Sequence, residues 1–491
     1  SGTAPTDDQM LRGFGYEPEL KRVLKSFSSF AIVFSFISVS TGIFAVYGLV
    51  ISSAGPRGIW SWPIVTGGQL LLVLVIAGLA GRIPVSGLSY QWMSRLTNPT
   101  AGWILGWAFL GYGLVTAPSV NIVFVNAIAQ VTKLNLTTLQ TSAAVIGVTL
   151  VQAVMMIAST KTTVRVNNLA VWSELISVAI FGIVLVVLGF ATADPAVGVS
   201  NLTSTSPVGP DNYWALFGSF TSTVLLGAFT YSGFDSAAAL ADETENPQRA
   251  VPLGIIRASL AAAGMGMLFL VGITVAERGP WSAVAEASSP VGFIAQDRLG
   301  TVLGGVFVIC VAIAIFANAM LQTMVASRLI WAISRDGRFP GSSVFRRVLA
   351  ASKTPANAIA LATVIEIIVI IAFSKLSDLL VASALIPVGV YGVISFAYLF
   401  RRNRFPVMPG GFSLGRFDRP VTIGACVWSV LLLVLLIGRP ENHKPALVAA
   451  AVFASALVWW LVLRIWAPEK LRTTIKEAAP EDLAADGIST S

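Results

Sequence analysis

The chain has 491 residues, of which 55% are hydrophobic and 11% charged, with a mean hydropathy of +0.79. An ordinary soluble domain carries about 25% charged residues, so a water-soluble fold is excluded and one integral membrane unit is implied. The net charge of +8 is not gathered into the continuous basic face of a soluble nucleic-acid binder, so nucleic acid is excluded and the lipid bilayer is the expected partner.

Stretches of about 20 apolar residues, the length that crosses the hydrocarbon core, predict twelve spans. They fall at 27–50, 60–80, 101–131, 141–159, 168–190, 214–241, 253–276, 301–333, 356–373, 378–400, 421–437 and 446–466. Around them, residues 1–26 form an N-terminal segment, 27–400 a ten-helix core, 401–466 a loop with the last two spans, and 467–491 a polar tail. Seven basic residues (Arg57, Lys133, Arg278, Arg298, Lys375, Arg439 and Lys444) fall on one side of this layout, and the remaining Lys and Arg fall on the other with both termini. The positive-inside rule therefore predicts cytoplasmic termini in a multi-pass protein of the cell membrane. The acidic run that begins at Asp242 and Glu243 and the basic run Arg335–Arg347 are expected to pair on that inner side.

Two spans are interrupted at matching places by small and polar residues. The first is broken around Ser38, Ser40, Thr41, Gly42 and Ile43, the sixth around Phe229, Thr230, Tyr231, Ser232 and Gly233. In hydrocarbon every peptide group must find a partner, so backbone unwinds at membrane depth only where it lines a cavity or meets a ligand. Small residues also pack helices tightly, but the matched pair points to a binding site in a transporter. Spans one to five and six to ten overlay as an inverted five-helix repeat, with spans eleven and twelve appended.

Three carboxylates, Glu174, Asp235 and Glu366, lie inside spans. An ionised carboxylate buried there costs several kcal/mol, so each is expected to be neutral, paired or in a wet cavity. The single histidine, His443 in a loop, and the lack of a phosphate-binding Gly-Lys-Ser/Thr run leave no triad, metal site or ATP-driven step. An enzyme is therefore not expected, nor a cofactor. Cys310 and Cys426 read as buried apolar fillers, and the sequons at Asn135 and Asn201 as chance matches.

The run Ser38 to Ile43, Tyr231-Ser-Gly-Phe-Asp235 followed by Leu240 to Pro252, and Ala326 through Pro340 resemble the amino acid–polyamine–organocation permeases over nearly the whole chain. Phe412-Ser-Leu-Gly-Arg416 resembles the amino acid/choline branch, which includes GABA permeases. The resemblance implies an all-α, LeuT-like fold of twelve transmembrane helices with spans one and six unwound. It implies import of an amino acid or related amine, such as GABA, by proton symport through alternating access. Exchange without net proton flow, or a non-transporting receptor on the same fold, are the alternatives. Ser40, Thr41 and Gly42 stand where many relatives have Gly-Ser-Gly, which changes the pocket shape.

A broken helix offers free N–H groups at one end and free carbonyls at the other. The span-one break is expected to take a substrate carboxylate, and carbonyls near Phe229, Thr230 and Tyr231 its amine. By resemblance Phe229 is an aromatic gate, although an ordinary core aromatic fits as well. Glu174 falls where some proton-coupled relatives have lysine and is expected to carry the coupling proton; a permanently protonated structural Glu is the alternative. Asp235 is expected either to join that coupling, to bind an amine, or to cap the half-helix that follows it. Glu366 is assigned no role.

Overall fold

A computed structural model describes Asp7, Arg12 and residues 26–471 apart from 86, 192–194, 336, 350–353, 374 and 409, and the described residues form helices without a strand. The helices are α1 Ser26–Ile37, α2 Val39–Ala54, α3 Ser61–Arg82, α4 Leu88–Leu96, α5 Pro99–Thr132, α6 Thr138–Ala158, α7 Thr160–Ile176, α8 Gly182–Ala191 and α9 Pro195–Asn201. There follow α10 Ser219–Ser222, α11 Leu225–Thr230, α12 Pro247–Ala276, α13 Trp281–Glu286, α14 Pro290–Arg335, α15 Ser342–Phe345, α16 Ala356–Ala372, α17 Leu376–Arg401, α18 Asp418–Ile437 and α19 His443–Trp466. Ten of the resulting rods are long and apolar enough to cross a membrane, and two shorter apolar segments, Ser219–Thr230 and Ala356–Ala372, lie where spans six and nine are expected.

Local sequence sets the ends. Pro99 opens α5 behind Asn98, whose side chain accepts from Ala101 N, and α6 opens with a capping box between Thr137 and Gln140. The run Pro290–Arg335 is two helices end to end: Gly300, with a φ of 77° that no ordinary helical residue adopts, separates a short first piece from the part that begins at 301, where span eight is expected to start. A nine-residue helix, α4, was not expected, being too short to span; Trp92 anchors it by donating its indole N–H to the Ile83 carbonyl.

Most of the spans pack in two sets that meet where α2 lies against α14. Helices α1/α2, α3, α11 and α12 pack on one another, while α5, α6, α14 and α16 form a second set. Span five touches both: α7 lies against α14 and α8 against α12. Within the second set Asn121, Thr149 and Gln152 share side-chain hydrogen bonds, and Thr323 donates to the fully buried Glu366 at 2.8 Å, tying α14 to α16. Glu366 thus serves as a polar tie inside a packed layer.

The stretch 402–417, joining α17 to α18, straps the ends of the first group. Arg82 at the end of α3 donates to the Phe405 carbonyl at 2.7 Å and pairs with Asp418 at 3.1 Å; Arg402 reaches Asp418 at 3.7 Å and the Tyr398 hydroxyl donates to it at 3.1 Å. Phe412 N donates to the Gln248 carbonyl at the start of α12. Asn201, one of the two sequon asparagines, is buried: its amide donates to the carbonyls of Thr274 and Glu277 at 3.0 and 2.9 Å. Cys426 is buried and Cys310 half-buried. The expected pairing of the acidic run with the basic one turns on Glu243, whose side chain lies outside the described residues, as do residues 472–491 of the tail.

Candidate substrate site

Span one is interrupted at a single residue. Ser38 adopts φ 41°, ψ 81° between α1 and α2, so Ser40, Thr41, Gly42 and Ile43 stand in the first turns of α2. The break therefore falls at Ser38, the first of the residues expected to interrupt the span, and it is a left-handed kink in place of a longer unwound stretch. A serine pays for that conformation with steric crowding that a glycine would escape, and its side chain is held: Ser38 Oγ and Thr41 Oγ1 share a hydrogen bond of 2.6 Å. The end of α1 is closed from a distance, because Asn318 of α14 donates its amide to the carbonyls of Ser35 and Phe36 at 3.3 and 3.1 Å.

The N–H end of α2 is held by Glu174. Both Ser40 N and Ser40 Oγ donate to Glu174 Oε1 at 3.1 Å, and the carboxylate is 2% exposed. Glu174 lies in the last turn of α7, directly before a π-helical turn at Ser177–Phe181, and Ser177 Oγ donates back to the Glu174 carbonyl. Such wide turns bulge a helix outward and recur at functional sites. The Gly42 N–H is bonded to the Ser38 carbonyl. Two of the three N–H groups expected to take a carboxylate thus already have partners in this conformation.

Span six is broken more widely. α11 stops at Thr230, Tyr231 leaves the helix with φ −87°, ψ 62°, Gly233 takes φ 74°, and a 3-10 segment resumes at Ser236–Glu243. Phe229 is buried, and its carbonyl already accepts from Ser232 Oγ at 2.8 Å, using one of two lone pairs. Thr230 Oγ1 donates to Leu226 O, and the Tyr231 hydroxyl to Ser259 O at 2.7 Å. The two breaks meet: a Cβ on Gly42 would overlap the Thr230 side chain, and one on Gly233 would overlap the Phe36 ring.

Asp235 stands at the N-cap of the 3-10 segment without making a side-chain cap bond. The capping role expected of it gives way to a contact with a distant helix: Tyr391 of α17 donates its hydroxyl to Asp235 Oδ1 at 2.8 Å and accepts from Gly233 N at 3.1 Å. Tyr112 of α5 shares a 2.8 Å hydrogen bond with Ser232 Oγ. Tyr391, Tyr112 and Asn318 escaped the sequence reading, although each is a polar side chain inside an apolar span, which is the signal that would have flagged it. A cavity of about 180 Å³ lies towards the sparsely basic side, lined by Phe44, Gly48, Ser52, Asn126, Ser288 and Ser289 among others.

A model of the family described as "Amino acid permease" matches residues 24–462. The chain belongs to the amino acid permease family. It is a multi-pass membrane protein of a transport family, within the amino acid–polyamine–organocation superfamily, and amino acid transport is that family's activity. The permease is 27% identical to the amino-acid permease BAT1 of Arabidopsis thaliana over 93% of its own length and 94% of the relative's, and 29% identical to a BAT1 homolog of Oryza sativa over 95% of each. It is 26% identical to the branched-chain amino acid permease BcaP of Lactococcus lactis over 72% of its length and 78% of the relative's. A more distant relative, 24% identical over 87% of this permease and 80% of the relative, is the thiamine transporter thi9 of Schizosaccharomyces pombe.

Proposed function

We propose that this permease is a secondary active transporter that imports an amino acid or related amine by proton symport through alternating access, with both termini in the cytoplasm. The observation that carries the reading is the seat of Glu174, whose carboxylate accepts from Ser40 N and Ser40 Oγ at the span-one break. An ionised Glu174 occupies the donors that a substrate carboxylate would use, and two negative charges a few Å apart in a water-poor site repel strongly. A protonated Glu174 is a weaker acceptor and carries no charge, so the α2 N-terminus becomes free to take the substrate anion. Proton and substrate then each bind better in the presence of the other, and by linkage the effect is reciprocal. The substrate amine faces the carbonyl end of α11 near Phe229, Thr230 and Tyr231, with Phe229 closing over it.

Relatives named for branched-chain amino acids and for thiamine set the breadth of the test. Labelled GABA, leucine and thiamine are offered to sodium-free proteoliposomes with and without an inward proton gradient, and competed with unlabelled amino acids and amines. Gradient-driven accumulation is expected, with the competition profile giving the substrate. Uptake that requires preloaded substrate and ignores the gradient would replace symport by exchange. Glu174→Gln keeps an acceptor for Ser40 but cannot release a proton, so it is expected to lose accumulation while retaining exchange; full accumulation would remove Glu174 from the coupling.

A further inference from the structure

The span-six break leaves backbone groups without helical partners, and one of them is satisfied from another span. Gly233, at φ 74°, directs its N–H to the Tyr391 hydroxyl, and the same hydroxyl donates to Asp235 Oδ1. Donor and acceptor roles of one phenol are both spent on residues two apart, on either side of Phe234. The Phe234 ring stacks on the Tyr391 ring with centroids 4.4 Å apart. Asp235 and Phe234 are 0% exposed and Tyr391 1%, so water does not stand in for these partners. Among the described residues the other Asp235 oxygen, Oδ2, has no hydrogen-bond partner, and Tyr391 supplies the side-chain hydrogen bond that positions this carboxylate.

Tyr391 stands one turn after Pro387, which lies inside α17. A proline there removes the N–H that would bond to the Ser383 carbonyl, which weakens the helix at that turn. The cavity opens towards the opposite end of the molecule, along the later turns of α2, whereas the 3-10 segment after Asp235 runs to the basic side. A movement that carries Asp235 away with Ser236–Glu243 breaks its bond to Tyr391, and one that also turns the chain at Gly233 breaks the second.

We propose that Tyr391 is a positioning residue that holds the span-six break in the conformation sealed towards the basic side, by bridging the Gly233 N–H and the Asp235 carboxyl. The assignment rests on the alternating-access reading, but its test reads conformation and needs no uptake. A single cysteine replaces Ala238, in the 3-10 segment, in a background where Cys310 and Cys426 are alanine. Its labelling by a membrane-impermeant maleimide is followed from each side of inside-out and right-side-out vesicles. Tyr391→Phe keeps the ring on Phe234 and removes only the hydroxyl. Losing two buried hydrogen bonds is expected to raise the labelling rate from the basic-loop side about tenfold, while labelling from the other side does not rise. Tyr112→Phe, which releases Ser232 but no backbone group, is expected to change the rate far less. If Tyr391→Phe labels as the parent does, or if Tyr112→Phe matches it, the assignment falls. A variant that merely loosens the fold would label faster from both sides and would also overturn it. Failure of proton-driven uptake alone, with the labelling difference intact, would refute the symport reading and leave Tyr391 in place.

Discussion

Asp418 provides a direct test of whether the strap over the first helix group holds the fold. Its carboxylate receives Arg82 at 3.1 Å, Arg402 at 3.7 Å and the Tyr398 hydroxyl at 3.1 Å, with the Arg82 and Asp418 side chains only 13% and 9% exposed. Asp418→Asn keeps the shape but leaves Arg82 and Arg402 close to each other without their shared anion. Removing one partner of a buried pair costs roughly 3–5 kcal/mol, and the residual exposure here brings the expectation to about 2–4 kcal/mol. Arg82 also holds the Phe405 carbonyl, so Arg82→Gln alone is expected to cost a similar amount. The double variant is expected to show a coupling of about 1–3 kcal/mol. Unfolding in mixed micelles, titrated with SDS and followed by tryptophan fluorescence, reads all four corners of the cycle. Because the pair is shielded, raising the salt from 0.1 to 1 M, which shortens the screening length from about 10 to 3 Å, is expected to move the coupling little. A loss below about 0.5 kcal/mol for Asp418→Asn, or strict additivity in the double variant, would refute the argument and reduce the cluster to a surface ion pair.

Two further outcomes follow from geometry elsewhere. Gly233→Ala forces a Cβ onto a residue at φ 74° and into the Phe36 ring, and is expected to cost at least the 1–2 kcal/mol of a left-handed residue in the same SDS titration. Glu277, just beyond the end of α12, is held above its ordinary value of 4.5, chiefly by burial, against the opposing N–H groups of Gly279 and Arg278. A carboxyl whose folded pKa is raised contributes stability that is complete below the unfolded value and lost as pH rises through the folded one. The parent is therefore expected to lose stability as pH climbs above 4.5, and Glu277→Gln to flatten that slope in thermal unfolding followed across the range.

The spans and the pairing of two interruptions were legible because membrane depth leaves a compositional mark on every residue: long apolar runs stand out, and so does a cluster such as Ser38 to Gly42 inside one. The position of the first kink was not, because Ser38 is a serine at positive φ, and nothing short-range distinguishes it from Ser40. Glu174 could be singled out as a carboxyl within a span, yet its partner Ser40 lies 134 residues away, and Tyr391 lies 158 residues from Gly233. Contacts of that separation are set by how whole helices cross, which local pattern does not encode. The helix α4 and the strap at 402–417 were missed for the opposite reason, being too short or too polar to register as spans.

The buried amide of Asn201 bears on how the topology of this chain can be mapped. Removing a sequon and watching for a lost glycan is a common way to ask which loops face outward. Asn201 presents no free amide to a glycosylating enzyme, since both of its donated bonds go to carbonyls at the end of α12, and the Trp281 indole N–H donates to its oxygen at 3.4 Å. Replacing it would unfasten α9 from α12 while removing no sugar, so the change would carry damage and no topological signal. Asn135, exposed in the turn before α6, is the position at which an acceptor sequence reports the side of the membrane without disturbing what it measures.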